Sequence, residues 1–148
     1  MVRRVSQEVA TALIRTGDLV RRFVGLVTGT RGVTPQQYNI LRILRGAGEA
    51  GLPTLEIAER MIEQTPGITR LLDRLETKAL VLRKRCLTDR RQVFCHITSA
   101  GLELLADLDQ PLHEAEERAL GGLTADELCE LLSLLDLARK GMALAGSS

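Results

Sequence analysis

Residues 83–91 read RKRCLTDRR, four arginines and a lysine against the single acid Asp89, in a chain whose net charge is only +1. The run lies between two stretches that favour strands, Leu80 to Cys86 and Val93 to Thr98, and it directly follows an amphipathic helical pattern. Thr88-Asp89 and the polar residues around them supply a reversal. The sequence therefore predicts a β-hairpin, or wing, attached to a helix. A basic hairpin beside a helix points to a phosphate backbone as its partner. A solvated tip with no role is the alternative, and the flanking sequence decides between them.

That flanking sequence is unevenly charged. From Arg70 to Arg91 there are eight basic and three acidic residues, whereas from Glu103 to Asp136 there are ten acidic residues and one arginine, Arg118. One part of the fold should face a polyanion and another be repelled by it. With 148 residues and 45% hydrophobic content, a single domain spanning 1–148 with a real core is expected. Two Phe, one Tyr and no Trp argue against base stacking on aromatic platforms and for an aliphatic helical core. Apolar runs are too short for a membrane span, and the charged N-terminus does not read as a signal peptide. Three cysteines without tight pairing suit a reducing, cytoplasmic setting.

Along the chain, apolar residues from Val5 to Val27 recur at helical spacing. Thr34-Pro35-Gln36-Gln37 then reads as a capping box opening a helix with Tyr38, Leu41 and Leu44 on one face. After a glycine-rich loop, Thr54 is the expected N-cap of a short helix running through Leu55, Ala58 and Met61. A tight link, Ile62-Glu63-Gln64, leads to Thr65-Pro66, which is expected to cap and start the next helix. That helix buries Ile68, Leu71, Leu72 and Leu75 and fronts Gln64, Thr65, Pro66, Gly67, Thr69, Arg70 and Arg74. Two short helices so joined make a helix-turn-helix, and small polar groups with arginines suit a major groove. Beyond the hairpin, Thr98-Ser99 caps a long helix containing Pro111, where a bend is expected, and Gly121-Gly122 ends it. Thr124-Ala125-Asp126-Glu127 is a second capping box, opening a helix with leucines on more than one face, as expected for a helix that meets a partner.

This order resembles the MarR family of winged helix-turn-helix regulators. The resemblance is carried by Thr69-Arg70 with Leu71, Leu72 and Leu75, by Leu80-Val81-x-Arg83 entering the wing, by Asp89-Arg90-Arg91 at its tip, and by Ile97-Thr98-x-x-Gly101 leaving it. It implies a mainly α fold with a small β-hairpin wing. A DNA-binding lobe (34–99) would lie between N- and C-terminal dimerisation helices (1–30 and 100–142). It further implies a homodimer on a palindromic operator in double-stranded DNA, with recognition helices in major grooves and wing arginines in minor grooves. A repressor relieved by a small phenolic or anionic effector is the expected mode; others of the family sense oxidants through cysteine. Ala79 departs from the pattern, standing where glycine is common at a helix C-terminus. Ile62 replaces a frequent turn glycine, and Glu63 stands where an apolar residue is usual.

The DNA-binding candidates are then Gln64, Thr65, Pro66, Gly67, Thr69, Arg70, Arg74, Arg83, Arg85, Asp89, Arg90 and Arg91. Helix capping or pairing with Asp73 or Glu76 is the bland alternative for those on the helix. Arg83, Lys84 and Arg85 alternate along a strand, so only some can touch DNA together. Asp89 is expected to orient a neighbouring arginine rather than meet phosphate. Arg85 would favour a thiolate on Cys86, but small half-buried strand residues are the simpler reading of Cys86 and Cys95; Cys129 is expected in core or interface. His96 and His113 are too few and too far apart for a zinc site. Phe23, Tyr38, Arg15 and His113 fit a packed core as well as an effector pocket. No phosphate loop, metal cluster or nucleophile–base grouping suggests an enzyme, and no cofactor is implied. The competing readings are a winged-helix module for protein association without DNA binding, and a cysteine-based redox regulator.

Overall fold

In the computed structural model of the chain, residues 1–89 and 91–146 are described, excepting the side chain of Arg3. Helix α1 (Val2–Gly29) is long and largely exposed, and only its C-terminal part, at Val24 and Val27, packs on the core. Helix α2 (Pro35–Ala47) opens on the expected capping box. Gln37 N–H donates to Thr34 Oγ1 at 3.2 Å, and Gln37 Oε1 accepts from Thr34 N–H at 3.0 Å. Gln37 is buried, so this reciprocal pair satisfies a polar side chain that would otherwise be costly inside. Ile40, Leu41 and Leu44 of the same helix form the centre of the core.

A 3₁₀ turn (Gly48–Ala50) leads to strand β1 (Leu52–Pro53) and helix α3 (Thr54–Arg60). Thr54 is the first helical residue, not the N-cap; Pro53 takes that position without a side-chain hydrogen bond. Ile57, rather than Leu55, is the buried anchor of α3, and Leu55 is exposed. The expected two-stranded hairpin is part of a three-stranded sheet. Strands β2 (Val81–Arg85) and β3 (Val93–Ile97) pair antiparallel, Arg83 opposite Cys95, and β1 adds to the other side of β3. A two-residue strand containing proline carries almost no sequence signal, and the sheet edge is where proline is tolerated.

Helix α4 (Ile68–Thr77) starts later than Thr65-Pro66 would have it. The Thr65 hydroxyl donates to Glu63 O at 3.1 Å, so it does not cap the helix. Gly67, at φ 100°, takes the N-cap position in the left-handed region where only glycine is unstrained. The link between α3 and α4 is accordingly seven residues, Met61 to Gly67.

Met1–Ala115 forms one compact unit, and the chain from Glu116 onward forms a second. Helix α5 (Ser99–Leu120) begins in the first, burying Gly101, Leu105, Leu108, Leu112 and Ala115 there, with Pro111 inside the helix. Helix α6 (Ala125–Ala145) opens on the expected second capping box, where Glu127 N–H donates to Thr124 Oγ1 at 3.3 Å and Thr124 N–H to Glu127 Oε2 at 2.7 Å. None of its described residues is buried, and Cys129, expected in core or interface, is exposed and so not part of the core. Among the described residues no helix is long and apolar enough to cross a membrane.

Candidate nucleic-acid interface

Helix α4 docks through Leu71, Leu72 and Leu75, a stripe at helical spacing that turns Thr69, Arg70, Asp73, Arg74 and Thr77 to solvent. Gln64, Pro66 and Gly67 are also exposed at its entrance, and Thr65 is half-buried. Three contacts hold that entrance. Ile62 N–H donates to Asn39 Oδ1 at 3.0 Å, Gln36 Nε2 reaches Thr65 Oγ1 at 3.5 Å, and Arg21 Nε donates to Glu63 Oε1 at 2.8 Å. Glu63 thus finds an ionic partner on α1 where an apolar residue would have packed. Ile62 has a negative φ, so the turn has no need of glycine there. No local pattern announces Gln36, Asn39 or Arg21 as supports, because each acts across more than twenty residues of chain.

At the other end, α4 closes with a Schellman motif. Leu80 N–H donates to Leu75 O at 3.0 Å and Ala79 N–H to Glu76 O at 2.8 Å, with Ala79 at φ 57°. Ala79 therefore sits in the left-handed conformation that its replacement of glycine implied. Thr98 braces the same joint: its hydroxyl donates to Ala79 O at 2.7 Å and accepts from Gly101 N–H at 3.1 Å. Gly101 lies against Leu80, where a Cβ would stand 2.5 Å from Leu80 O.

The structure divides the basic residues into two groups. Arg83 is largely enclosed: its guanidinium donates to Glu76 Oε2 at 2.7 and 3.0 Å and to Asp73, and its backbone N–H reaches Glu76 Oε1 at 3.3 Å. Those hydrogen bonds hold the Glu76 carboxyl below, and the Arg83 guanidinium above, their ordinary pKa values. Asp73 and Glu76 are thus taken up by Arg83, the strand arginine. Arg70 and Arg74 have no ion-pair partner among the described residues, and neither do the exposed Arg85 and Arg91.

The tip is held by its own backbone. Cys86 N–H donates to Gln92 O at 2.9 Å and Gln92 N–H to Asp89 O at 3.0 Å. The Asp89 carboxylate accepts from the backbone N–H of Arg91 at 3.0 Å. Asp89 therefore orients Arg91 through the main chain. Arg90 lies outside the described residues. Cys86 Sγ lies 3.1 Å from Thr88 Oγ1, and this contact, with the backbone N–H groups of Asp89 and Thr88, lowers the thiol pKa. The cause is the turn itself and not Arg85. Cys95 is buried, which raises its pKa. Among the described residues no group of three or more His, Cys, Asp and Glu side chains could hold a metal ion.

Against known proteins, the MarR family pattern matches residues 33–93, the span from the last buried residue before α2 to the start of β3. The regulator MhqR of Bacillus subtilis, an HTH-type transcriptional regulator, is 33% identical over 68% of this chain and 67% of its own. A crystal structure of a MarR transcription factor from Planctomyces limnophilus is 44% identical, covers 88% of this chain and 95% of that one, and superposes with a TM-score of 0.70. A mutant MarR from E. coli, complexed with operator DNA, shares the fold at 23% identity, with a TM-score of 0.80 over 88% of this chain and 93% of that one. With this fold, this wing and 44% identity to a MarR transcription factor over 95% of its length, the chain belongs to the MarR family.

Proposed function

We propose that the chain is a sequence-specific DNA-binding transcriptional regulator that acts as a homodimer on a palindromic operator, most simply as a repressor. The observation that carries this reading is the division of the arginines. Arg83 is pinned as a strut, while Arg70 and Arg74 on α4 and Arg85 and Arg91 on the wing are exposed without partners among the described residues. Thr69, Arg70 and Arg74, with Gln64, Pro66 and Gly67 at the helix entrance, are the major-groove candidates. Arg85, Arg90 and Arg91 are the phosphate and minor-groove candidates, and Asp89 shapes the tip that carries them. Thr65, half-buried and hydrogen-bonded to Gln36 and Glu63, serves from within.

Exposed apolar side chains support homodimerisation through 1–30 and 100–142: Val5, Val9 and Leu19 on α1, and Leu132, Leu134 and Leu137 on α6. The complex of a mutant E. coli MarR with operator DNA and that of S. aureus MepR with DNA agree with DNA as partner. Relief by a small ligand is part of the reading; a Bordetella bronchiseptica neighbour is described as regulated by 6-hydroxynicotinic acid.

The test is binding to the inverted repeat in the DNA beside the chain's own gene, followed by fluorescence anisotropy across salt. Affinity should fall steeply, by about 10³-fold or more between 50 and 200 mM salt for six or more phosphate contacts. Arg90→Ala with Arg91→Ala should weaken binding to every sequence, whereas Arg70→Ala should also relax base preference. A salt-independent affinity, or full affinity in the wing variant, would sink the reading.

A further inference from the structure

The wing carries one large apolar side chain that nothing in the lobe explains. Leu87 is 99% exposed. It stands in the turn beyond β2, within the loop closed by the Cys86–Gln92 and Gln92–Asp89 hydrogen bonds, where turn chemistry ordinarily favours small polar residues. Arg85 lies two residues before it and Arg91 four after, both exposed and without carboxylate partners among the described residues.

We propose that Leu87 is itself a DNA contact, an apolar wedge that packs on the sugar walls and floor of an A·T-rich minor groove while Arg85 and Arg91 hold phosphates on its rims. The proposal rests on the DNA-binding reading above and adds the chemistry by which the wing selects its groove. Reach supports it: the four steps of β2 from Val81 to Arg85 span about 14 Å at about 3.4 Å each, and the turn carries Leu87 beyond them, on the scale of the half of a 34–36 Å turn that separates a major groove from its neighbouring minor groove. Charge supports it too, since unpaired cations on both sides of an apolar side chain suit a slot with anionic rims and apolar walls. The floor matters as well. In A·T pairs the minor groove lacks the guanine 2-amino group, which would meet the leucine methyls, and apolar side chains are a known means of engaging that groove.

The experiment uses the full chain and a fluorescent duplex selected by the wild-type protein from a random pool, titrated at several salt concentrations. Because the Leu87 side chain is almost wholly exposed, Leu87→Ala should leave thermal unfolding unchanged. It should weaken binding about 5- to 20-fold per half-site, as expected for one lost aliphatic contact in each protomer, with the slope of log affinity against log salt unchanged. Leu87→Met should bind as wild type. Arg91→Ala, which removes one phosphate contact from each protomer, should instead reduce that slope by about two. Placing G·C pairs under the wing should weaken the wild type but not Leu87→Ala, and inosine·C pairs, which lack the 2-amino group, should restore the wild type. Unchanged affinity in Leu87→Ala, a slope change like that of Arg91→Ala, or equal G·C effects in both proteins would overturn the proposal while leaving DNA binding intact. Failure of the wild type to select any duplex would overturn the parent reading and this one together.

Discussion

Ala79 shows how much can turn on one residue. At φ 57° it closes the Schellman motif between α4 and β2, and a left-handed alanine costs about 1–2 kcal/mol relative to the right-handed form. Part of the gain from glycine is lost again to its freedom in the unfolded chain. Ala79→Gly is therefore expected to stabilise the protein, but by less than about 1 kcal/mol, as a rise in the midpoint of urea unfolding without a change in slope. This strain was legible from sequence, because an alanine stood where glycine is usual. The reason for Gly101 was not: it depends on the approach of Leu80 O from another element. Cys86 makes a second prediction at this scale. Thr88 and the turn backbone stabilise its thiolate, so the thiolate fraction, and with it the alkylation rate, should rise at a pH below that of an ordinary thiol. Thr88→Val should move the rate profile of Cys86, followed by peptide mass spectrometry, to higher pH; an unmoved profile would remove Thr88 as the cause.

At the scale of elements, two capping boxes and both strands of the wing were legible, whereas strand β1 and the caps of α3 and α4 were not. Both capping boxes, at Thr34 and Thr124, formed as their local sequences indicated. The Thr34 box is the more consequential, because its Gln37 is buried. Thr34→Ala should cost about 1 kcal/mol or somewhat more, read as a lower midpoint of thermal unfolding. A loss no greater than that of an exposed helix substitution would contradict it. Strand β1 escaped the sequence because two residues have no period, and the true start of α4 escaped because Thr65-Pro66 has the look of a cap. What decided that start was the competing bond from Thr65 to Glu63 O and the left-handed Gly67. The basic run was likewise legible as a wing but not in its division of labour. Only the tertiary fold brings Arg83 onto Asp73 and Glu76 and spares Arg70 and Arg74.

At the scale of the whole molecule, the leucines on more than one face of α6 were the sequence's sign of a partner, and the helix has no buried residue among those described. If a second copy covers them, Leu134→Glu with Leu137→Glu should shift the protein from dimer to monomer in sedimentation analysis. Affinity for a palindromic duplex should then fall far more than affinity for a half-site. A dimer that survives both changes would move the interface elsewhere.

The Arg83 strut also bears on DNA geometry. By tying β2 to α4 it gives the lobe two prongs at a set spacing, so that in the proposed complex each lobe would work as a caliper laid along the duplex. DNA whose twist or groove width departs from that spacing must deform to fit, and the cost of deforming it varies with sequence. Part of the operator's identity would then reside in base pairs that no side chain touches.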